Sequence, residues 1–262
     1  MHYENTLAFA QDLDQQDPLR HYRDQFLFPQ HQGKAVLYFC GNSLGLQPKS
    51  VRPALLAELD QWETHGVEGH FRGELPWMHY HKYLTQQSAR LVGALPHEVV
   101  VMNTLTVNLH LMMVSFYRPT RERYKIVMEA GAFPSDQYAM ESQVRWHGFD
   151  PADAIVEVAP HATPPRPSPK REGDVEGAAS PSLLGEGRGG VSPGEETGVS
   201  NHILQTNDIL EAIEREGDKV ALVIFGGVNY YTGQFYDLPA IAAAAHRVGA
   251  YAGFDLAHAA GN

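Results

Sequence analysis

The segment Tyr-Ala-Gly-Phe-Asp-Leu-Ala-His at residues 251 to 258 decides the fold class of this 262-residue chain. Residues 251 to 254 predict a short apolar strand, with Asp255 and His258 at its carboxyl end. In open α/β sheets, ligands bind outside the carboxyl ends of the strands, where an aspartate can pair with a protonated heteroaromatic nitrogen. The alternative is that Asp255 caps a following helix.

Strands and helices alternate along the chain upstream of this segment. Apolar, β-branched runs predict strands at 99–102, 126–128, 155–158 and 220–225. A spacing of about 3.6 residues predicts helices between them, beginning near Ser50 (with Leu55, Leu59 and Trp62 on one face) and covering residues 84–95, 107–116, 135–146, 208–215 and 238–248. This alternation predicts a mostly parallel sheet with helices on both faces, a three-layer α/β/α architecture.

Composition excludes several function classes. The formal net charge is −11, with 31 acidic against 20 basic residues, which argues against a nucleic-acid partner. The single cysteine, Cys40, forms no internal disulfide and fits a reducing compartment. Because no signal peptide is evident and no apolar run approaches about 18 residues, we expect a cytoplasmic protein without membrane contact. The 14 histidines lack metal-site spacing, so no metal is expected.

Residues 162 to 200 differ from the rest of the chain. They hold six of the 17 prolines and eight of the 24 glycines, and no Phe, Trp or Tyr. Such a segment buries too little apolar surface to offset its ordering entropy. We therefore predict a disordered, low-complexity insertion in a globular domain. The alternative function is a docking segment for a partner.

Six motifs occur in the order typical of the kynureninase family, and the chain resembles that family over about residues 35 to 262. The motifs are Gly41 to Lys49, Gly69-His70 with Pro76-Trp77, Asn103 to His110, Phe133 to Asp136, Tyr231 to Gln234, and Phe254 to His258. The resemblance implies a fold-type-I (aminotransferase-like) pyridoxal-phosphate enzyme. It divides the chain into an N-terminal arm, 1–48, and a partial cofactor-binding large domain, 49–262, truncated before its end and interrupted by the insertion.

The resemblance also assigns residues to the cofactor. Leu105 and Thr106 would contact the phosphate, Phe133 would stack on the pyridine ring, and Asp255 would hold the ring nitrogen protonated. The full set implied is Leu105, Thr106, Phe133, Pro134, Ser135, Asp136, Gly226, Asp255 and His258. At Gly226 some family members have a serine; a glycine offers only its backbone.

Several of these residues also have an ordinary structural interpretation. Thr106 and Asp136 could simply cap helices, and Phe133 could be a core residue. The resemblance places Ser43 and His70 on the substrate side, near an aryl ketone. Without it, Ser43 would be interpreted as a turn residue and His70 as an exposed loop histidine.

No catalytic residue is assigned within this sequence. The family carries its Schiff-base lysine in a Tyr-Lys pair shortly beyond the Asp-Leu-Ala-His strand, and none of the six lysines here lies in that motif. The resemblance implies a homodimer that hydrolyses L-kynurenine or 3-hydroxykynurenine in tryptophan catabolism, giving anthranilate or 3-hydroxyanthranilate and alanine. Alternatives are a non-catalytic remnant or binding module, and another fold-type-I enzyme such as a cysteine desulfurase relative.

Overall fold

The computed structural model describes residues 3–160 and 203–261, so the insertion predicted at 162–200 lies outside the described residues. The α-helices of the described ranges are α1 (Leu7–Gln16), α2 (Val51–His65), α3 (Tyr80–Tyr83), α4 (Thr85–Val92), α5 (Leu105–Phe116), α6 (Pro134–Trp146), α7 (Pro151–Ala154), α8 (Thr206–Glu216) and α9 (Leu238–Arg247). The strands are β1 (Phe26–Leu27), β2 (Gln30–His31), β3 (Lys34–Ala35), β4 (Gln47–Pro48), β5 (Lys125–Glu129), β6 (Ile155–Val158), β7 (Val220–Gly226) and β8 (Tyr251–Asp255).

The main sheet has four parallel strands in the order β6-β5-β7-β8. β1 pairs with β4, and β2 with β3, as short antiparallel ladders in the N-terminal segment. The register of the main sheet places Ile126 opposite Ile155 and Leu222, and Gly226 opposite Asp255. All four strands therefore end at one edge of the sheet.

Helices cover both faces of this sheet, which confirms the three-layer α/β/α prediction. On one face, Val127, Val223 and Phe225 pack with α8 and α9 through Ile209, Ile213, Ile241 and Ala244. On the other, Ile126, Met128 and Ile224 pack with α5 and α6 through Met113, Met140 and Val144. Because β7 is covered on both faces, its residues Val220 to Phe225 are all buried, which explains its continuous apolar sequence.

Local sequence accounts for several helix ends. Asp237 accepts the N–H of Ala240 at the start of α9, and Asp150 accepts the N–H of Ala152 at the start of α7. Proline occupies the first turn of α6, α7 and α9, where its missing N–H costs nothing. α4 ends at Gly93, whose φ of 70° is left-handed, so the helix stops short of the predicted Leu95. None of the described helices is long and apolar enough to cross a membrane.

The strand predicted at Val99 to Met102 is wrong for the described structure. These residues belong to no strand and form no ladder with the rest of the described chain, and Val100 and Val101 are 51% and 43% exposed. A β-branched run shows strand preference, whereas a strand needs a neighbouring backbone to pair with. The strands predicted near Ile126, Ile155, Val220 and Tyr251 are confirmed.

Helix α2 presents an apolar stripe to solvent. It begins at Val51 after Ser50, as predicted, but Leu55, Leu59 and Trp62 are 62%, 56% and 66% exposed. Contiguous exposed apolar surface of this kind commonly marks an interface. The domain division at residue 48 stays a prediction.

A truncation in the centre of the sheet should show where the core lies. Ile126→Ala removes a fully buried side chain from β5 and should lower the free energy of unfolding by about 2–5 kcal/mol. Leu7→Ala, at a site 74% exposed, should change it by less than about 0.5 kcal/mol. Urea denaturation measures both, and equal effects would contradict this assignment of the core.

The exposed stripe on α2 should cause self-association. We expect the chain to form dimers or larger species at micromolar concentration, and Leu55→Glu with Leu59→Glu to shift it toward monomer because charges oppose apolar contact. Tyr138→Glu, at an exposed α6 site, is the control. Sedimentation velocity measures the distribution; a wild-type chain that stays monomeric would refute the expectation.

Candidate functional site

The candidate site lies at the carboxyl edge of the parallel sheet. Glu129, Gly226 and Asp255 are the last residues of β5, β7 and β8. Asp255 also lines a groove of about 270 Å³ together with Leu105 and Asn108 of α5. The sheet register and the start of α5 thus bring residues from distant parts of the sequence to one place, as the topology of open α/β sheets predicts.

Two aspartates meet at this edge. Asp136, in the first turn of α6, is 9% exposed and is hydrogen-bonded to the side chain of Asp255. Burial, followed by the hydrogen bond and the charge of Asp255, raises the pKa of Asp136 from 3.8 to about 7. Ser135 donates a weak hydrogen bond of 3.4 Å to Asp136 that opposes this shift. The pair therefore holds a proton near neutral pH and favours a cation beside it.

Asp255 also closes the turn that follows β8. Its Oδ1 accepts the N–H of Ala257 at 2.7 Å, the contact that a helix cap makes, although residues 257 to 261 form turns and not a helix. The capping alternative is thus realised in a turn, and it coexists with the contact to Asp136. The turn carries His258 back over the site.

Three rings border the aspartate pair. Phe133, which immediately precedes α6, lies 5.2 Å from the ring of Tyr230 in edge-to-face contact and 5.9 Å from the ring of His258. Tyr230 and His258 are 6.2 Å apart, so the three rings form a cluster. Phe133 is 41% exposed and is not a core residue, so part of its ring is accessible to a planar ligand.

The start of α5 offers backbone donors. Asn103 has a left-handed φ of 43°, and Asn108 holds this turn by donating to the Met102 carbonyl at 2.9 Å and accepting from Asn103. The first N–H groups of a helix have no intrahelical acceptor and can bind an anion. The residue at the cap position is Thr104, so the alternative interpretation of Thr106 as a helix cap is wrong.

Sequence reasoning missed Glu129. Its buried carboxyl group accepts hydrogen bonds from the Gly226 N–H, Asn229 Nδ2 and Tyr236 hydroxyl at 3.3, 2.9 and 2.6 Å. The signal in the sequence was a glutamate ending an otherwise apolar strand, Lys125–Glu129. Gly226 takes part in this contact through its backbone N–H, and its role at the cofactor stays a prediction.

Ser43 and His70 lie in the N-terminal segment. Ser43 is an exposed turn residue whose N–H donates to the Cys40 carbonyl at 3.0 Å. His70 is exposed and packs edge-to-face on Trp77, with ring centroids 5.4 Å apart. Among the described residues, neither has a hydrogen bond or ring contact with the aspartate pair, so their predicted role at this site stays a prediction.

The lysines of the described ranges lie elsewhere. Lys125 and Lys219 are at the amino ends of β5 and β7, the opposite edge of the sheet, and Lys125 pairs with Glu216 at 2.9 Å. Lys34, Lys49 and Lys82 belong to the segment before α4, and Lys170 lies outside the described residues. The described part of the chain therefore supplies anions, rings and backbone donors to the site, but no amine.

Comparison with curated proteins gives several relatives that are kynureninases. The chain is 50% identical over its whole length to a kynureninase of Flavobacterium psychrophilum and 53% identical over 99% of its length to a kynureninase of Myxococcus xanthus. It is 45% identical over 97% of its length to a kynureninase of Nematostella vectensis. The chain belongs to the kynureninase family. It spans about half the length of these relatives, covering 53%, 53% and 49% of them.

Solved structures share the architecture. The cysteine desulfurase CsdA from Escherichia coli matches with a TM-score of 0.53 and 14% identity, over 89% of this chain and 47% of that one. The cystine C-S lyase C-DES matches with a TM-score of 0.51 and 16% identity, over 86% and 48%. No family model matches the chain. At such identities the likeness shows the fold, which is that of fold-type-I enzymes.

The aspartate pair should make stability depend on pH. Because the pKa of Asp136 is raised in the folded state, protonated Asp136 stabilises the fold fully below pH 3.8. This stabilisation is lost as the pH rises from 3.8 through about 7. Asp136→Asn removes this loss, so its free energy of unfolding relative to wild type should rise by roughly 2 to 3 kcal/mol between pH 5 and pH 8. Urea titrations measure the difference. Asp60→Asn, at an exposed α2 site, should show no such trend, and parallel pH curves for Asp136→Asn and wild type would refute the pairing.

Proposed function

We propose that this chain forms the pyridoxal-phosphate-binding part of a kynureninase, an enzyme that hydrolyses L-kynurenine and 3-hydroxykynurenine to anthranilate and 3-hydroxyanthranilate with release of L-alanine. The observation that carries the proposal is the pair of buried Asp136 and half-buried Asp255 beside the exposed ring of Phe133, in a chain 50% identical to a kynureninase. The alternatives are a non-catalytic binding module and a cysteine desulfurase relative. The likeness to desulfurases rests on 14% identity and supports only the architecture.

The described residues fit this cofactor at three points. A protonated pyridine nitrogen needs an adjacent anion, and the causes that shift the pKa of Asp136 include no basic side chain. The planar ring needs an apolar surface, which Phe133 offers. The phosphate needs several donors, and the N–H groups of Leu105 and Thr106 at the start of α5 supply them. When bound, pyridoxal phosphate supplies an electron sink for charge developing at the substrate α-carbon.

The residues of this chain would then orient the cofactor and the substrate and supply negative charge at the ring nitrogen. Asp255 keeps the ring nitrogen protonated, and Asp136 supports it from the first turn of α6. His258 borders the pocket through its ring contacts with Phe133 and Tyr230. Pro134 and Ser135 set the start of α6, and Ser135 donates to Asp136. For substrate binding we propose Ser43 and His70, whose hydroxyl and imidazole can hydrogen-bond the ketone or a ring substituent.

Catalysis also requires an amine at this edge to take the α-proton. The described lysines lie elsewhere, so we propose that the half of the family's length that this chain does not span supplies it. A homodimer is part of the same proposal, and the exposed stripe on α2 supports an interface. The proposed setting is cytoplasmic, without nucleic-acid or membrane partners.

Complementation tests the proposed activity. The 262-residue chain is joined to the remaining C-terminal half of the Myxococcus xanthus kynureninase, and loss of L-kynurenine and gain of anthranilate are followed by chromatography. We expect activity in the joined protein and none in the chain alone. Asp255→Ala should lower kcat at least about 100-fold, because charge at the ring nitrogen stabilises the transition state. Ser43→Ala should lower kcat/KM by about tenfold through positioning.

The complementation experiment needs a control variant, and three results would contradict the proposal. Asp60→Asn, on the exposed surface of α2, should leave activity unchanged. Pyridoxal-phosphate binding without turnover in a folded joined protein would favour the binding-module alternative. Turnover of cysteine but not kynurenine would favour the desulfurase alternative, and full activity of Asp255→Ala would refute the role of the aspartate pair.

A further inference from the structure

Glu129 is a buried acid that the proposed chemistry does not use. It is 6% exposed and ends β5, next to the aspartate pair, where its charge contributes to the raised pKa of Asp136. Its three hydrogen-bond donors come from Gly226, the last residue of β7, and from Asn229 and Tyr236 in the segment between β7 and α9. A carboxyl group buried in this way is costly unless its oxygens are satisfied, and here one connecting segment satisfies them.

Asn229 links Glu129 to a tight turn. Its Nδ2 donates to Glu129, while its Oδ1 accepts from the N–H groups of Tyr231 and Thr232 at 3.0 and 2.8 Å and from the Thr232 hydroxyl at 3.1 Å. The Thr232 hydroxyl in turn accepts the N–H of Gln234 at 3.2 Å. The Tyr-Thr-Gly-Gln motif at 231 to 234 is therefore a turn organised around one amide side chain.

The same turn carries one wall of the site. Tyr230 follows Asn229 directly, and its ring contacts both Phe133 and His258. Tyr236, at the other end of the segment, is 3% exposed and packs its ring on Phe225 of β7 while its hydroxyl reaches Glu129. The segment is thus held at its beginning, middle and end by one side chain of the neighbouring strand.

We propose that Glu129 is a positioning residue, which fixes the turn at 229–234 and thereby holds Tyr230 against Phe133 and His258 at the mouth of the site. The order of the turn is a property of this chain by itself. The consequence for cofactor binding rests on the proposed function.

The polarity of the Glu129–Asn229 contact permits a swap experiment. In Glu129→Gln, one of the two carboxylate oxygens becomes an NH2 group. The single remaining oxygen cannot accept from the Gly226 N–H, Asn229 and Tyr236 at once, so the new NH2 group faces at least one of these donors. In the double variant Glu129→Gln with Asn229→Asp, the glutamine amide donates to the new carboxylate. That carboxylate still accepts from Tyr231 and Thr232, and the Tyr236 hydroxyl can accept instead of donating. The network is restored with reversed polarity.

Hydrogen exchange of the 262-residue chain, followed by mass spectrometry, reads the turn directly. Glu129→Gln should accelerate exchange in peptides covering 229–234 by about tenfold, because a buried donor loses its acceptor. Asn229→Asp alone should do the same, and the double variant should return to within about twofold of wild type. Tyr236→Phe removes a single donor and should accelerate exchange by about threefold, which keeps the test available if Glu129→Gln does not fold.

The control is Glu157→Gln, which changes an exposed glutamate of β6 whose partner is Gln137 at 3.2 Å. It should leave exchange in 229–234 unchanged. Wild-type exchange in folded Glu129→Gln would overturn the proposal. So would a double variant as fast as the faster single variant, or a Tyr236→Phe chain with no acceleration.

Pyridoxal-phosphate titration of the same variants tests the consequence for the site. These variants are titrated in the joined protein, which carries the amine. There, Glu129→Gln should weaken cofactor binding by about tenfold and the double variant should restore it, since Tyr230 is again held in place. Unchanged affinity in Glu129→Gln would overturn the link to the cofactor. A folded joined protein that binds no pyridoxal phosphate would count against the proposed function, whereas the exchange data would still decide the role of Glu129.

Discussion

Parallel pairing of β7 with both of its neighbours is the constraint on which the site depends. Because β7 lies between β5 and β8, the register fixes Gly226 opposite Asp255 and brings Glu129 within reach of the segment after Gly226. The residues between β5 and α6 then deliver Asp136 to Asp255. A change of register on either side of β7 would separate these groups, although none of them takes part in the hydrophobic core that sets the register.

Three acids converge at this edge, and the structure compensates them in two different ways. Glu129 is satisfied by three donors and has no unmet need for a cation. Asp136 and Asp255 face each other, and the mutual contact together with burial raises the pKa of Asp136. A buried acid whose oxygens all accept hydrogen bonds, such as Glu129, stabilises a conformation. A pair of acids that face each other, such as Asp136 and Asp255, favours binding of a positive charge. At this one edge of the sheet, Glu129 therefore positions the turn, whereas the aspartate pair is suited to bind a ligand.

The sequence predicted the elements whose signals are local. Apolar runs such as Val220 to Phe225 identify buried strands, and Asp255 was found because it follows such a run. The run Val99 to Met102 has the same local signal but lacks a neighbouring backbone within the described structure, and no pattern in a single segment reports its neighbours. Glu129 was missed for the same reason, since its donors lie about 100 residues further along the chain.

The contact between Gly226 and Glu129 changes how the glycine in this motif is interpreted. A glycine where some family members carry a serine suggests a lost hydroxyl, yet the backbone here is used. A Cβ at this position would lie 3.1 Å from Glu129 Oε1 and 3.2 Å from the Val228 carbonyl oxygen, closer than ordinary contacts. Any side chain at 226 would therefore press on the acid that the Gly226 N–H binds. Glycine at 226 thus leaves room for the Glu129 carboxyl group that its N–H binds.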